Sequence, residues 1–247
     1  MASQYLTRQD LLKQVQEVRV LGSGVHGRAT LVRYQGRLAC LKEGLRGPSQ
    51  NLSFWREAGT LRRVNGAGGA PRIYKIGADW PMLLTDFIPY PSIKTFIQND
   101  QIKSHTQIID IYHAAAAALA EVHRAGFVHC DIKSDNLLVD ACPGTSRVFF
   151  IDFGMAWPVG ETPPYFKKHQ PGDHSCHPHY APEFYYGGPA TTTSDVYSLG
   201  VMMTNLLTLD RYSDIEVVAP GISDLCRKMT SPDPHLRPSL TVVVNTL

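Results

Sequence analysis

Between residues 129 and 136 the chain reads His129-Cys-Asp131-Ile-Lys133-Ser-Asp-Asn136, an acid, a cation and an amide within one short loop. A carboxylate at Asp131 can accept a hydroxyl proton, an ammonium at Lys133 can neutralise charge on a transferring phosphoryl group, and the Asn136 amide offers an oxygen to magnesium. Sixteen residues after Asn136, Asp152-Phe-Gly154 closes an apolar run and supplies a second oxygen donor for the same kind of cation. Upstream, Gly22-Ser-Gly24-Val-His-Gly27 can fold close over phosphates and turn backbone amides toward them. Lys42, fifteen residues past Gly27, ends the apolar run Leu38-Ala-Cys-Leu41, where its ammonium can reach phosphate oxygens. Each piece has an ordinary explanation: a glycine-rich hairpin, a solvated lysine, an exposed helix glutamate at Glu57, a polar turn. A polar turn explains the Asp131 loop or Asp152 singly and explains the pair poorly.

These residues need elements to position them. Before residue 90 the apolar runs are short and β-rich, at Val18 to Leu21, Ala29 to Tyr34, Leu38 to Leu41, Ile73 to Ile76 and Met82 to Phe87. One helix interrupts them at Leu52 to Val64, with Asn51 or Ser53 as its cap, Asn65-Gly66 as its stop, and Glu57 and Leu61 on one face. The strand that follows the glycines excludes a dinucleotide-binding fold, which requires a helix there. After residue 100 the periodicity turns helical: Ser104 and Gln107 form a capping box, and Ile108, Ile111, Tyr112, Ala115, Leu119 and Val122 recur at helical spacing up to Gly126. Helices are expected near Asp195 to Leu207 and Ile222 to Met229, and short strands at Phe127 to Val128, Leu137 to Val139 and Val148 to Ile151. Two punctuated stretches stand apart, a loop at Asn65 to Pro71 and a long functional segment at Pro158 to Pro182.

The composition sets limits. With 247 residues, 43% hydrophobic and 19% charged, the chain can bury a substantial core. A net charge of +2 gives no global basic field to attract nucleic acid or an anionic membrane. Met1 to Val20 lacks the basic and apolar blocks of a secretory signal, and no apolar run approaches the roughly 20 residues that span a bilayer. Five cysteines, odd in number and without a CxxC pair, suit reduced thiols. An intracellular, cytoplasmic protein without membrane insertion is the expectation.

Taken together the sequence resembles the eukaryotic protein kinases over nearly its whole length. The resemblance runs through the glycine loop, Ala39-Cys-Leu-Lys42, Glu57, His129 to Asn136, Asp152-Phe-Gly154, Ala181-Pro-Glu183, Ser194-Asp195-Val-Tyr-Ser-Leu-Gly200 and Asp233-Pro-His-Leu-Arg237-Pro238. It implies an α+β fold of two lobes within one domain. Residues 1–86 would form a small antiparallel sheet with one helix, and 87–247 a larger, mainly helical lobe shortened after the 195–207 helix, with ATP bound between the lobes. It implies that Gly22, Ser23, Gly24 and Gly27 cover the nucleotide phosphates, that Lys42 grips them and that Glu57 positions Lys42. Ala29, Cys40 and Leu138 would sandwich the adenine, with Thr85, Asp86 and Phe87 as gatekeeper and hinge. Asp131 resembles the catalytic base, Lys133 the γ-phosphate stabiliser, and Asn136 and Asp152 the ligands of Mg2+, with Mn2+ able to serve. Lys133, two residues after Asp131, matches the serine/threonine pattern, so the implied activity is γ-phosphate transfer to Ser or Thr of a protein substrate. Glu183 with Arg237 resembles a buried ion pair, and Asp195 a residue that anchors the catalytic loop.

Three positions depart from the family pattern. Cys130 replaces an arginine that commonly pairs with an activation-segment phosphate, which implies constitutive activity or control by a regulatory protein partner. Cys176 replaces a threonine that contacts the catalytic aspartate and lysine, and His179 replaces a tyrosine. Two rivals remain. One is a pseudokinase scaffold that binds nucleotide or partners without transfer. The other is a small-molecule kinase, disfavoured by Ala181-Pro-Glu183 with Arg237. His169, His174, Cys176, His177 and His179 crowd one loop, read as proline- and histidine-rich in preference to a zinc site.

Overall fold

The computed structural model describes residues 4–24, 27–45, 47, 52–142, 145–166, 177–209, 212 and 214–247. The chain divides into two compact units. The smaller comprises Met1–Gly66, Ala70–Pro89 and Phe153–Met155; the larger comprises Ala67–Gly69, Tyr90–Asp152 and Ala156–Leu247.

The smaller unit contains β1 (Tyr5–Leu6), α1 (Arg8–Lys13), β2 (Val15–Gly24), β3 (Gly27–Tyr34), β4 (Arg37–Glu43), α2 (Leu52–Val64), β5 (Ile73–Gly77) and β6 (Met82–Asp86). Its sheet has the order β1-β5-β6-β4-β3-β2. Strand alternation gives that sheet two different faces. Val32, Tyr34, Ala39, Leu41, Met82 and Leu84 form one buried cluster with Leu11 of α1. On the other face Leu83 and Ile76 pack with Phe54 and Ala58 of α2. The pairings Ala29 with Lys42, Lys42 with Leu83 and Cys40 with Thr85 put all of these side chains on the α2 face. The α2 helix occupies the expected span and ends at Asn65 and Gly66, whose φ values of 47° and 91° are left-handed. Asn51, one of its two expected caps, lies outside the described residues.

Two expectations for this unit are corrected. The sheet is antiparallel except at its edge, where β1 runs parallel to β5, pairing Tyr5 with Ile76 and Leu6 with Gly77. A long connection separates those two strands, so no hairpin constrains their direction. The unit also holds a second helix, α1, capped by the Thr7 side chain on Asp10 N. Its fully buried Leu11 covers the sheet face that α2 leaves bare.

The larger unit contains α3 (Ile93–Gln98), α4 (His105–Arg124), β7 (Phe127–Val128), β8 (Leu137–Asp140), β9 (Arg147–Phe150) and β10 (Trp157–Pro158), followed by α5 (Pro182–Tyr185), α6 (Thr192–Leu207), α7 (Ile215–Val218), α8 (Ile222–Met229) and α9 (Leu240–Thr246). Its axis is α4, whose Ile108, Ile111, Tyr112, Ala115, Leu119 and Val122 are all buried. Ser104 caps it through Gln107 N, while the Gln107 side chain reaches back to Lys103 N rather than to Ser104 N, a capping box displaced by one residue. Against α4 lies the turn Ala67–Gly69. A Cβ on Gly68 (φ 64°) would meet Val122 and the Ala118 carbonyl, so only glycine fits there. Among the described residues no helix is long and apolar enough to cross a membrane.

Candidate active site

In the smaller unit, the register of the sheet brings the expected residues onto one face. Lys42 Nζ lies 2.6 Å from Glu57 Oε2, and the Glu57 side chain is only 7% exposed against 26% for Lys42. Burial removes the ordinary reading of Glu57 as a solvated helix residue, because a buried carboxylate requires a partner. Among the glycines, Gly27 is fixed by packing: a Cβ there would collide with the Glu43 carbonyl. At Gly22 and Gly24 a Cβ would meet nothing within 4 Å, so internal packing does not require those two glycines. Cys40, on the Lys42 face, has its thiol pushed up to about 11 by burial against the opposing pull of Lys42. Thr85 is buried at the end of β6. Asp86 has its N–H committed to the Arg72 carbonyl and its carboxylate to Arg72 N and the Tyr74 hydroxyl. Arg56 of α2 donates to the Gly154 carbonyl at 3.0 Å, which ties Phe153–Met155 to this unit.

In the larger unit the loop after β7 converges on Asp131. Lys133 Nζ donates to Asp131 Oδ2 at 2.6 Å, and Asn136 Nδ2 donates to the same oxygen and to the Asp131 carbonyl, both at 2.9 Å. His179 Nε2 donates to Oδ1 at 3.2 Å. Burial pushes the Asp131 carboxyl up, but the hydrogen bonds from His179 and Lys133 outweigh it, and the net displacement is downward. The carboxylate is therefore ionised at neutral pH with both oxygens engaged. Ile151 N donates to the Asn136 carbonyl at 2.9 Å, which sets Asp152, the next residue, beside Asn136. Leu138 is half-buried on β8.

Cys130 and Asp152 have φ values of 64° and 63°, a conformation that costs a non-glycine residue roughly 1–2 kcal/mol. At Cys130 the cost is met by Asp195, which has no exposed surface and accepts from His129 N at 2.7 Å and Cys130 N at 3.0 Å. His123, in the last turn of α4, donates to the same carboxylate at 2.8 Å. His129 Nε2 reaches the Ile151 carbonyl at 3.1 Å and Asp131 N reaches its Nδ1 at 3.3 Å, so the ring joins the loop to the end of the strand before Asp152. The Cys130 thiol is buried, and burial holds it well above its ordinary range. Sequence reasoning missed His123, and it read His179 as a departure from the family pattern and as one of the histidines crowding a proline-rich loop. Both act on carboxylates far away in sequence: packing of α4 on α6 brings His123 to Asp195, and the segment before α5 brings His179 to Asp131.

Glu183 and Arg237 form a bidentate pair at 2.7 and 2.8 Å. The guanidinium also donates to the carbonyls of Ser231, Thr193 and Pro232, and lies over the Tyr197 ring. Ser194, within the capping box of α6, donates to Glu183 Oε1 at 2.8 Å. Cys176, His169 and His174 lie outside the described residues. Among the described residues no group of three or more His, Cys, Asp or Glu side chains could hold a metal by itself.

The profile of the protein kinase domain family matches residues 15–216. A probable serine/threonine-protein kinase of Dictyostelium discoideum is 29% identical over 180 residues, 70% of this chain and 10% of that protein. A probable CTD kinase subunit alpha homolog of Encephalitozoon cuniculi is 28% identical over 202 residues, 78% of this chain and 57% of its own. A probable serine/threonine-protein kinase of Lactococcus lactis is 30% identical over 127 residues, 51% of this chain and 19% of that protein. The chain spans less than two thirds of the length of each.

Proposed function

The chain belongs to the protein kinase family, and from that premise we propose that it transfers the γ-phosphate of ATP, with magnesium, to serine or threonine hydroxyls of a protein substrate. The observation that carries this reading is the Asp131 carboxylate, buried, ionised and hydrogen-bonded by Lys133, Asn136 and His179. A carboxylate displaced downward is a weak proton acceptor at rest. Its work is to orient the acceptor hydroxyl and to take the proton late, when bond formation has made that proton acidic.

Lys133 is placed to balance negative charge on the phosphoryl group as it moves, and Lys42, held by Glu57, to grip the α- and β-phosphates. The open space over Gly22 and Gly24 suits close approach of phosphates to their backbone, along with Ser23 and Gly27. The adenine is assigned to Ala29, Cys40 and Thr85 of the smaller unit and, in the larger, to Leu138. Since the Asp86 N–H is committed to Arg72, hydrogen bonds to the base would come from the Asp86 carbonyl and from residues after it, Phe87 first.

The donor set fits magnesium. Both Asn136 Nδ2 bonds run to Asp131, so the amide oxygen is the donor assigned to the cation, and the adjacent Asp152 is exposed. Hard oxygen donors of this kind suit Mg2+ and also Mn2+. A cation held by Asn136 and Asp152 would supply positive charge against the phosphates.

The buried Cys130 thiol cannot serve as a cationic partner for a phosphate, which supports activity without phosphorylation of the Pro158–Pro182 segment, or control by a protein partner. A cytoplasmic setting with reduced thiols belongs to the same reading. The test is phosphate transfer from Mg·ATP by the purified chain, onto itself and a peptide library, read by mass spectrometry beside Asp152→Asn. Phosphoserine or phosphothreonine that vanishes in the variant supports the reading. Nucleotide binding without any transfer overturns it in favour of a pseudokinase scaffold.

A further inference from the structure

A cavity of about 340 Å³ opens in the larger unit beside the catalytic loop. Its floor is apolar, made by Ile97 of α3, Ile132 of the loop, and Val201, Met202 and Leu206 of α6. Lys133 and His179 also line it, and these two side chains hydrogen-bond opposite oxygens of Asp131. The cavity thus shares two of its lining side chains with the carboxylate assigned to orient the acceptor hydroxyl.

Its walls are held from behind. Ser198 of α6 donates to the His179 carbonyl at 2.6 Å, and the Tyr112 hydroxyl of α4 donates to the Met202 carbonyl at 3.1 Å. Ile132 is fully buried. The cations at the rim do not call for an anion, because Lys94 pairs with Asp135 at 2.9 Å and Lys133 with Asp131 at 2.6 Å. An apolar floor behind a rim whose charges are already balanced favours an uncharged apolar occupant.

We infer that this cavity receives a large apolar side chain, Leu, Met or Phe, from the same substrate segment that presents the acceptor hydroxyl, an inference that rests on the kinase reading above. The volume lies at the lower end of the roughly 300–1,000 Å³ range of small-ligand pockets, enough for one such side chain. An extended segment advances about 3.3 Å per residue, so a cavity fixed beside the acceptor site is reached at one set spacing along it. The substrate class is therefore a Ser/Thr segment with an apolar anchor at one fixed spacing.

The experiment is a positional-scanning peptide library phosphorylated by wild type, by Asn205→Trp and by Val201→Asp. Asn205 lines the cavity from an exposed position on α6, so a tryptophan there fills the space without entering the core. Wild type is expected to favour Leu, Met or Phe over Gly, Asp or Lys by about tenfold or more in kcat/KM at one position, the discrimination an apolar pocket delivers. Each variant is expected to raise KM for the favoured peptide about tenfold with little change in kcat. A peptide with Gly at the anchor position should be transferred equally by wild type and Asn205→Trp. Transfer without an apolar preference at any position overturns the inference and leaves the kinase reading intact, as does a preference unchanged in Asn205→Trp with its melting temperature preserved. No transfer to any peptide or to the chain itself overturns the kinase reading and this inference with it.

Discussion

Lys42–Glu57 in the smaller unit and Arg237–Glu183 in the larger are built from the same chemistry, a helix glutamate with a cation distant in sequence, and they differ in how far the cation is buried. Lys42 pairs with Glu57 at 2.6 Å and keeps a quarter of its side chain exposed. Arg237 has no exposed side-chain surface, grips both carboxylate oxygens and gives further N–H bonds to three carbonyls. A compact, partly exposed ammonium can reach a ligand, whereas a buried planar guanidinium with its donors committed serves the protein. Two ion pairs of equal formal charge thus divide into one suited to binding and one suited to holding structure.

Single substitutions can break that division. Lys42→Met is expected to lower phosphotransfer about a thousandfold, roughly 4 kcal/mol of transition-state stabilisation, while leaving the melting temperature near that of wild type. Comparable loss of stability and activity would erase the contrast. Arg237→Ala is expected to cost about 3–5 kcal/mol of stability, because the largely buried Glu183 loses its bidentate partner. Chemical denaturation measures this, and an unchanged midpoint would remove the structural role. Arg237→Lys should recover only part of the loss, since an ammonium cannot reproduce the bidentate fork.

The two units can also be compared through their thiols. Burial raises Cys40 in the smaller unit and Cys226 in the larger to about 11, against the pull of Lys42 and of Thr204 respectively. A folded-state value above the unfolded one contributes stability that is present below the unfolded value of 9.0 and lost as pH rises toward 11. Stability should therefore fall between pH 9 and 11, by at most about 1.4 kcal/mol per pH unit for each thiol. Replacing either cysteine by alanine should flatten its share of that slope, as read from denaturant midpoints across the pH series. The smallest effect expected is Ser104→Ala, about 1 kcal/mol for the lost cap of α4. It should appear as fraying of the first turn of α4 in hydrogen exchange, with the small-unit sheet unaffected.

What could be read from the sequence follows the range of the interactions. The α2 and α8 helices lie at the expected spans because periodicity, with a stop signal at α2, is local. The face shared by Ala29, Cys40, Lys42 and Thr85 follows from strand alternation once the register is known. Six-residue α1 and two-residue β1 carry too few residues for a period to show, so the sheet looked purely antiparallel and uncovered on one side. His123 reaches Asp195 across 72 residues and His179 reaches Asp131 across 48, and a single histidine in a helix or a loop carries no local sign of such a partner. Glu57 was the closest case, since helix periodicity gave its face but only the packed sheet gave its burial.

The two units exchange short segments: Ala67–Gly69 belongs with α4 although its neighbours in sequence lie in the smaller unit, and Phe153–Met155 belongs with α2 although its neighbours lie in the larger. A peptide cut after Pro89 would therefore not release two self-sufficient halves. The first fragment would carry a glycine turn shaped for Val122 and Ala118 and would lack the Gly154 carbonyl that receives Arg56. The second would present Phe153, fully buried in the intact chain, with nothing to cover it. Dissection of this protein calls for co-expression of both fragments, with reassembly as the measure of success.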